Sequence, residues 1–269
     1  MKLLFFHVGP GMNSNPEKHL LSDLFKEEGF DLKLWNEPSL LRNANINSGI
    51  NFFQQYLESA EEFFLHHFDK EPLVIIGHSF GAHAVRYLVH QHPEKIKKVI
   101  FISSGLALKN IDTNIFTFTL KDFEENGDYK QAAILKKVLK NYTGSFDDNT
   151  KKGYETALQN LRLFSYYFLN KEKMVESMQF YEPREFGIDV EAFFKVRQSW
   201  FDKSFNKTNI PAIGIFGKFD IVVSNKIEQS ILQQQFNELK IYEFNKSSHF
   251  PHLEETEQLI KILRGITAI

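Results

Sequence analysis

Along this chain, short and wholly apolar runs alternate with longer stretches in which apolar residues recur every three or four positions. The runs Leu73–Ile76, Val99–Ile102 and Ala212–Phe216 carry no polar side chain, and Leu3–Val8 is broken only by His7. Such runs are what strands buried on both faces of a parallel sheet require. Phe30–Trp35 alternates apolar with charged residues and predicts a strand with one wetter face, and Ile241–Phe244 predicts a sixth strand. Between them, Pro16–Gly29 sets Leu20, Leu21, Leu24 and Phe25 on one helical face and stops at Gly29. Phe52–Phe68, Ala82–His90, Ile227–Phe236 and the closing Leu253–Leu263 predict further helices. Strands alternating with helices imply right-handed βαβ units, hence an α/β fold with a mainly parallel six-stranded sheet flanked by helices. In such sheets ligands bind beyond the carboxyl ends of the strands, so chemistry is expected just after strands.

The alternation lapses between about Asn110 and Asn206. That segment is helical in pattern, with pieces near Asp128–Asn141, Lys151–Asn170, Glu172–Phe180 and Val190–Phe205, and no convincing strand. The organisation expected is therefore a core made of residues 1–109 and 207–269 with a helical insertion, 110–206, between its fourth and fifth strands. The 269 residues suit one such domain. No internal repeat or low-complexity linker interrupts them.

Composition narrows the function. Lys plus Arg number 32 and Asp plus Glu 34, a formal charge of −2, without the basic face that nucleic-acid binding needs. With no cysteine, a disulfide framework, a thiolate-bound zinc and a cysteine nucleophile are excluded. The lack of cysteine fits a reducing cytoplasm. The apolar stretch Leu3–Phe6 is too short for a signal peptide, and nothing approaches the ~20 apolar residues of a membrane helix. Phe, with 28 residues, is abundant, and rings recur through the insertion from Phe116 to Phe201. Most are expected in its own core, some on a pocket for an apolar group.

The most informative motif is Gly77-His78-Ser79-Phe80-Gly81, which leaves the apolar run 73–76 and enters Ala82-His83-Ala84-Val85. A serine on a tight strand-to-helix turn needs small neighbours two residues to either side, and the strand before and helix after supply that context. Its hydroxyl needs a base, and the base an acid to fix its tautomer. His249 stands on the loop after the last strand, before Pro251, whereas His252 falls inside the closing helix and is read as a surface or capping residue. Asp220 is the one carboxylate in the loop after Ala212–Phe216, with Asp112 as the runner-up acid. His78 and His83 are expected to pack or hydrogen-bond locally. Phe80 N–H is one candidate oxyanion donor. The second is expected from the loop after the first strand, Gly9 before Met12, since Pro10 has no N–H. Arg184, Arg197 and Glu182 are candidate contacts for a charged substrate end, though surface placement is the simpler expectation.

Together these segments resemble the α/β-hydrolase superfamily, in its proline iminopeptidase-like or carboxylesterase-like branch. His7-Val8-Gly9-Pro10-Gly11 is similar to that branch's H-G-G-P-G oxyanion motif, Gly77–Gly81 to its G-H-S-x-G elbow, Gly217-Lys218-Phe219-Asp220 to its G-x-x-D acid loop, and Ser248–Glu254 to its G-H-x-P-x-x-E segment. Val8 replaces the first glycine of the oxyanion motif. The G-G-S-W-G elbow and the Trp-Glu pair of proline iminopeptidases are absent, so aminopeptidase activity is not implied. The resemblance implies that 110–206 is a cap over the active site. The function expected is a serine hydrolase cleaving a small apolar ester, thioester or amide through an acyl-enzyme on Ser79, with no cofactor or metal. An acyltransferase, a C–C bond hydrolase or lyase using the same residues, and a non-catalytic ligand-binding member stay open.

Overall fold

The computed structural model describes residues 1–38, 49–181, 190–201 and 205–267. Its core elements run β1 (Lys2–Phe6), α1 (Asn15–Glu27), β2 (Asp31–Trp35), α2 (Phe52–His67), β3 (Leu73–His78), α3 (Gly81–Gln91) and β4 (Ile96–Ile102). Then come the inserted helices α4 (Leu108–Glu125), α5 (Tyr129–Lys140), α6 (Asp148–Ala157), α7 (Lys171–Met178) and α8 (Val190–Gln198). The chain closes with β5 (Ala212–Gly217), α9 (Asn225–Gln235), β6 (Leu239–Phe244), α10 (Pro251–Glu254) and α11 (Thr256–Thr267).

The sheet has the order β2-β1-β3-β4-β5-β6, and every neighbouring pair is parallel. The apolar runs explain it. Leu4, Phe6, Ile75, Val99 and Phe101 feed one core, while Leu3, Phe5, Val74, Ile76, Ile100 and Ile102 feed the other. Alternate residues thus enter cores on opposite faces, and each fully buried large side chain contributes about 1.5–3 kcal/mol. The outer strands β2 and β6 keep partly exposed positions, as the charges within their sequences require. After β2 the chain returns to β3 on the other side of β1, so the strand order switches at the β1/β3 pair. The loops leaving β1 and β3 flank that switch point, where open α/β sheets bind ligands.

The insertion differs in detail from its sequence pattern. Residues 108–125 form a long helix, α4, which the periodicity did not single out because Asp112, Thr119 and Asp122 are buried among its apolar positions. The stretch 151–170 is not continuous: α6 ends at Ala157, and a short 3-10 turn follows at Leu163–Tyr167. Asn160 breaks it, its side chain donating to Asp122 at 2.7 Å and accepting Arg162 N–H at 2.8 Å. Described helix α8 ends at Gln198 rather than Phe205. The closing helix also divides, with Glu255 outside helical geometry between α10 and α11. No helix among the described residues is long and apolar enough to cross a membrane.

Candidate active site

The turn between β3 and α3 forces Ser79 into positive φ, 52°. That conformation disfavours a side chain, and the packing around it explains the flanking glycines. A Cβ on Gly77 would lie 2.8 Å from Val85 Cγ2, and one on Gly81 2.7 Å from the His7 carbonyl. Ser79 N–H donates to the Ile102 carbonyl at 2.9 Å, so β4 holds the turn against the sheet.

His249 lies between β6 and α10, and its Nδ1 is 2.9 Å from Asp220 Oδ2. A carboxylate only accepts, so Nδ1 carries the proton and Nε2 presents its lone pair to Ser79 Oγ, 2.9 Å away. Both the His249 and Asp220 side chains are fully buried. Asp220 Oδ1 accepts the N–H groups of Val222 at 2.9 Å and Val223 at 3.1 Å, which fixes the carboxylate. His249 is held by its backbone as well: its N–H donates to the Tyr167 carbonyl at 3.0 Å, and His78 Nε2–H donates to the His249 carbonyl at 2.8 Å. The Tyr167 ring stands edge-on to His249 at 5.3 Å, its hydroxyl held above the usual phenol range by burial and then by the charge of Asp220.

A cavity of about 120 Å³ opens at Ser79. Val8, Gly9, Met12 and Phe80 line it, together with Leu108, Ile111, Ile115, Tyr154, Phe164, Phe168 and Phe193 from the helical stretch between β4 and β5. A void of that size, so lined, is comparable to one that admits benzene. Gly9 has φ 141° and Gly11 N–H is taken by the Glu37 carboxylate at 3.0 and 3.1 Å, while Val8, Gly9, Pro10 and Met12 are the loop's residues on the cavity.

The geometry on this sheet matches a known pattern: a sequence profile of the alpha/beta hydrolase fold family covers residues 3–256. The chain belongs to that family. Among curated relatives, a probable aminopeptidase (YbaC) of Bacillus subtilis (strain 168) is 23% identical over 281 residues, covering 94% of this chain and 84% of its own. Among solved structures of the fold, a bromoperoxidase from Bacillus anthracis superposes with TM-score 0.65 at 12% identity, covering 100% of this chain and 92% of its own. A proline iminopeptidase-related protein from Thermus thermophilus gives 0.64 at 14%, with 99% and 89% covered, and an esterase from Exiguobacterium antarcticum 0.62 at 12%, with 100% and 92%.

Within this alpha/beta hydrolase, several residues sit elsewhere than the sequence led one to expect. His252 is not at the surface: it is fully buried, its Nε2 3.0 Å from Glu17 Oε1. Asp112, the runner-up acid, does not approach His249. Its oxygens accept from Arg197 Nη2 at 2.6 and 2.8 Å and from the hydroxyls of Tyr142 and Tyr154. Arg197 is accordingly buried, against the surface placement expected, and its charge is neutralised where it meets the cavity. Glu182 and Arg184 lie outside the described residues. His83 does bond locally, its Nε2 lying 3.1 Å from the Gly105 carbonyl.

Two carboxylates to which sequence reasoning gave no role hold the site's walls. Glu228 on α9 is fully buried and accepts Ser104 Oγ at 3.0 Å, Leu106 N–H at 3.1 Å and Ala107 N–H at 2.8 Å. It thereby pins the loop after β4, whose Gly105 N–H donates to the Ser79 carbonyl at 2.9 Å and leaves no room for a side chain beside Phe80 N. Burial pushes the Glu228 carboxyl up to about 7, against the backbone bonds that favour its charge. Glu254 accepts N–H groups of Leu169 at 2.6 Å, Asn170 at 2.7 Å and Ser248 at 2.8 Å, joining the His249 loop to the inserted helices. The spacing of Glu254 in the Ser248–Glu254 segment signals it; Glu228 has no sequence signal beyond a charge on an apolar helix face.

Proposed function

We propose that the protein is a serine hydrolase that cleaves a small, apolar ester, thioester or amide through an acyl-enzyme. The observation that carries this reading is the unbroken hydrogen-bonded line from Asp220 through His249 to Ser79 Oγ, ending on the cavity. Ser79 Oγ attacks the carbonyl carbon while His249 Nε2 takes its proton. The imidazolium, stabilised by Asp220, returns that proton to the leaving group, and water activated by His249 then releases the acid. Phe80 N–H and Gly9 N–H, with Met12 N–H as the alternative to Gly9, receive the developing oxyanion, and loss of one such donor costs roughly 3 kcal/mol. Residues 110–206 act as a cap that supplies the far wall of the acyl pocket. Family membership supports hydrolysis as the reaction class.

The lining favours an uncharged acyl group over a peptide amino terminus. Among the described residues, no carboxylate lines the cavity, and the Arg197 charge is already spent on Asp112. An ammonium group there would lose its hydration with no partner. A panel of p-nitrophenyl esters of graded chain length, run beside aminoacyl p-nitroanilides, tests the reading. It predicts the highest kcat/KM for short apolar acyl groups. Faster cleavage of the aminoacyl substrates, or full turnover by Ser79→Ala, overturns it.

A further inference from the structure

Three side chains from three elements meet in a buried position behind His249: Glu17 of α1, His78 at the end of β3 and His252 of α10, none of them exposed. Each offers one potential ligand atom, and these atoms lie within 4.8 Å of one another. The hydrogen bonds around them fix the tautomers. The His249 carbonyl can only accept, so His78 Nε2 carries a proton and His78 Nδ1 is a lone pair. Glu17 Oε1 takes His252 Nε2–H, so His252 Nδ1 is a lone pair too. His78 Nδ1, His252 Nδ1 and Glu17 Oε2 are all buried with no hydrogen-bond partner among the described residues.

A network satisfied within the protein would set an N–H opposite each lone pair; three acceptors without a donor are costly to bury. The arrangement is, however, the posture of metal ligands. An imidazole that binds a metal through one nitrogen donates its other N–H to a backbone carbonyl or a carboxylate, and His78 does so to the His249 carbonyl, which leaves its Nδ1 for an ion; at His252 the ion would take the place of the proton that Nε2 shares with Glu17 Oε1.

We propose that Glu17, His78 and His252 form a binding site for a single zinc-type divalent transition-metal ion, separate from the Ser79 line, which ties α1 to the loop that carries His249. Two imidazoles and a carboxylate are a donor set suited to zinc and the neighbouring late first-row ions, whereas calcium and magnesium favour oxygen ligands. Held inside the fold, the ion serves architecture rather than the acyl transfer. Bound to His78 Nδ1, it polarises the Nε2–H that grips the His249 carbonyl.

The test uses the full chain, treated with a chelator and titrated with zinc chloride. One equivalent should bind and raise the unfolding midpoint, in wild type and in His249→Ala alike. Glu17→Gln and His252→Asn should weaken binding by about tenfold or more. X-ray absorption at the zinc edge of loaded wild type should show two imidazole ligands and an oxygen donor, and this reading stands even where the buried variants fail to fold. Absence of uptake by wild type overturns the proposal. So does a single imidazole at the edge, or binding lost in His249→Ala but kept in Glu17→Gln, which would put the ion on the His249–Asp220 pair.

Discussion

Two buried polar clusters contribute to the wall of one cavity, the Ser79–His249–Asp220 line and the group formed by Asp112, Arg197, Tyr142 and Tyr154, and they end in opposite ways. Asp112 spends both oxygens on Arg197 and two tyrosine hydroxyls, so the cluster closes on itself and its charges cancel. Asp220 spends one oxygen on two backbone N–H groups and the other on His249, and His249 passes the polarisation on to a hydroxyl that opens on the cavity. Burial and ion pairing are common to both. On the proposed reading, what separates a site of chemistry from a structural clamp is whether the network stops at an atom a substrate can reach.

Substitutions should therefore divide by kind of effect. Asp220→Asn should lower kcat/KM by about 10⁴-fold, because an amide no longer fixes the His249 tautomer, while the unfolding midpoint stays near wild type. Asp112→Ala should do the reverse: it strands the Arg197 charge in the interior and should cost about 3–5 kcal/mol in denaturant unfolding, with the folded fraction still turning over substrate. If Asp112→Ala instead abolished turnover in a stable protein, the comparison would fail and Asp112 would belong to the chemistry.

Glu228 falls between the two, since its bonds close on themselves yet position the loop beside Ser79. Its folded carboxyl titrates at about 7 against an ordinary 4.5, so the native state keeps a proton that the unfolded chain has lost across that range. Its stabilising contribution is complete below pH 4.5 and is lost as pH rises to 7, on the order of 3 kcal/mol in all. Glu228→Gln should remove this slope from a plot of unfolding free energy against pH between 4.5 and 7. A slope unchanged in the variant assigns the effect to another group.

The sheet was legible because its central strands need apolar residues on both faces, and the runs at 73–76, 99–102 and 212–216 contain nothing else. The elbow was legible because steric demand at Gly77 and Gly81 leaves a local signature. The clamp was not, since Asp112 and Arg197 stand 85 residues apart, and alone Asp112 reads as a runner-up acid and Arg197 as a surface charge. His252 was misjudged for the same reason: its partner Glu17 is 235 residues away on α1, and a histidine in the first turn of a short helix gives no local sign of burial. Helix α4 was obscured because buried polar residues, Asp112, Thr119 and Asp122, interrupt its apolar stripe, and the partners of Asp112 and Asp122 come from the rest of the insertion.

The central claim is that Ser79 is a nucleophile activated by His249. A fluorophosphonate probe reads this directly, because it bonds covalently only to a serine hydroxyl whose proton is being withdrawn. Wild type should label at one site, mapped by peptide mass to Ser79, with labelling lost in Ser79→Ala and reduced by orders of magnitude in His249→Ala. Labelling that persists in Ser79→Ala, or a folded wild type that does not label, would contradict the account.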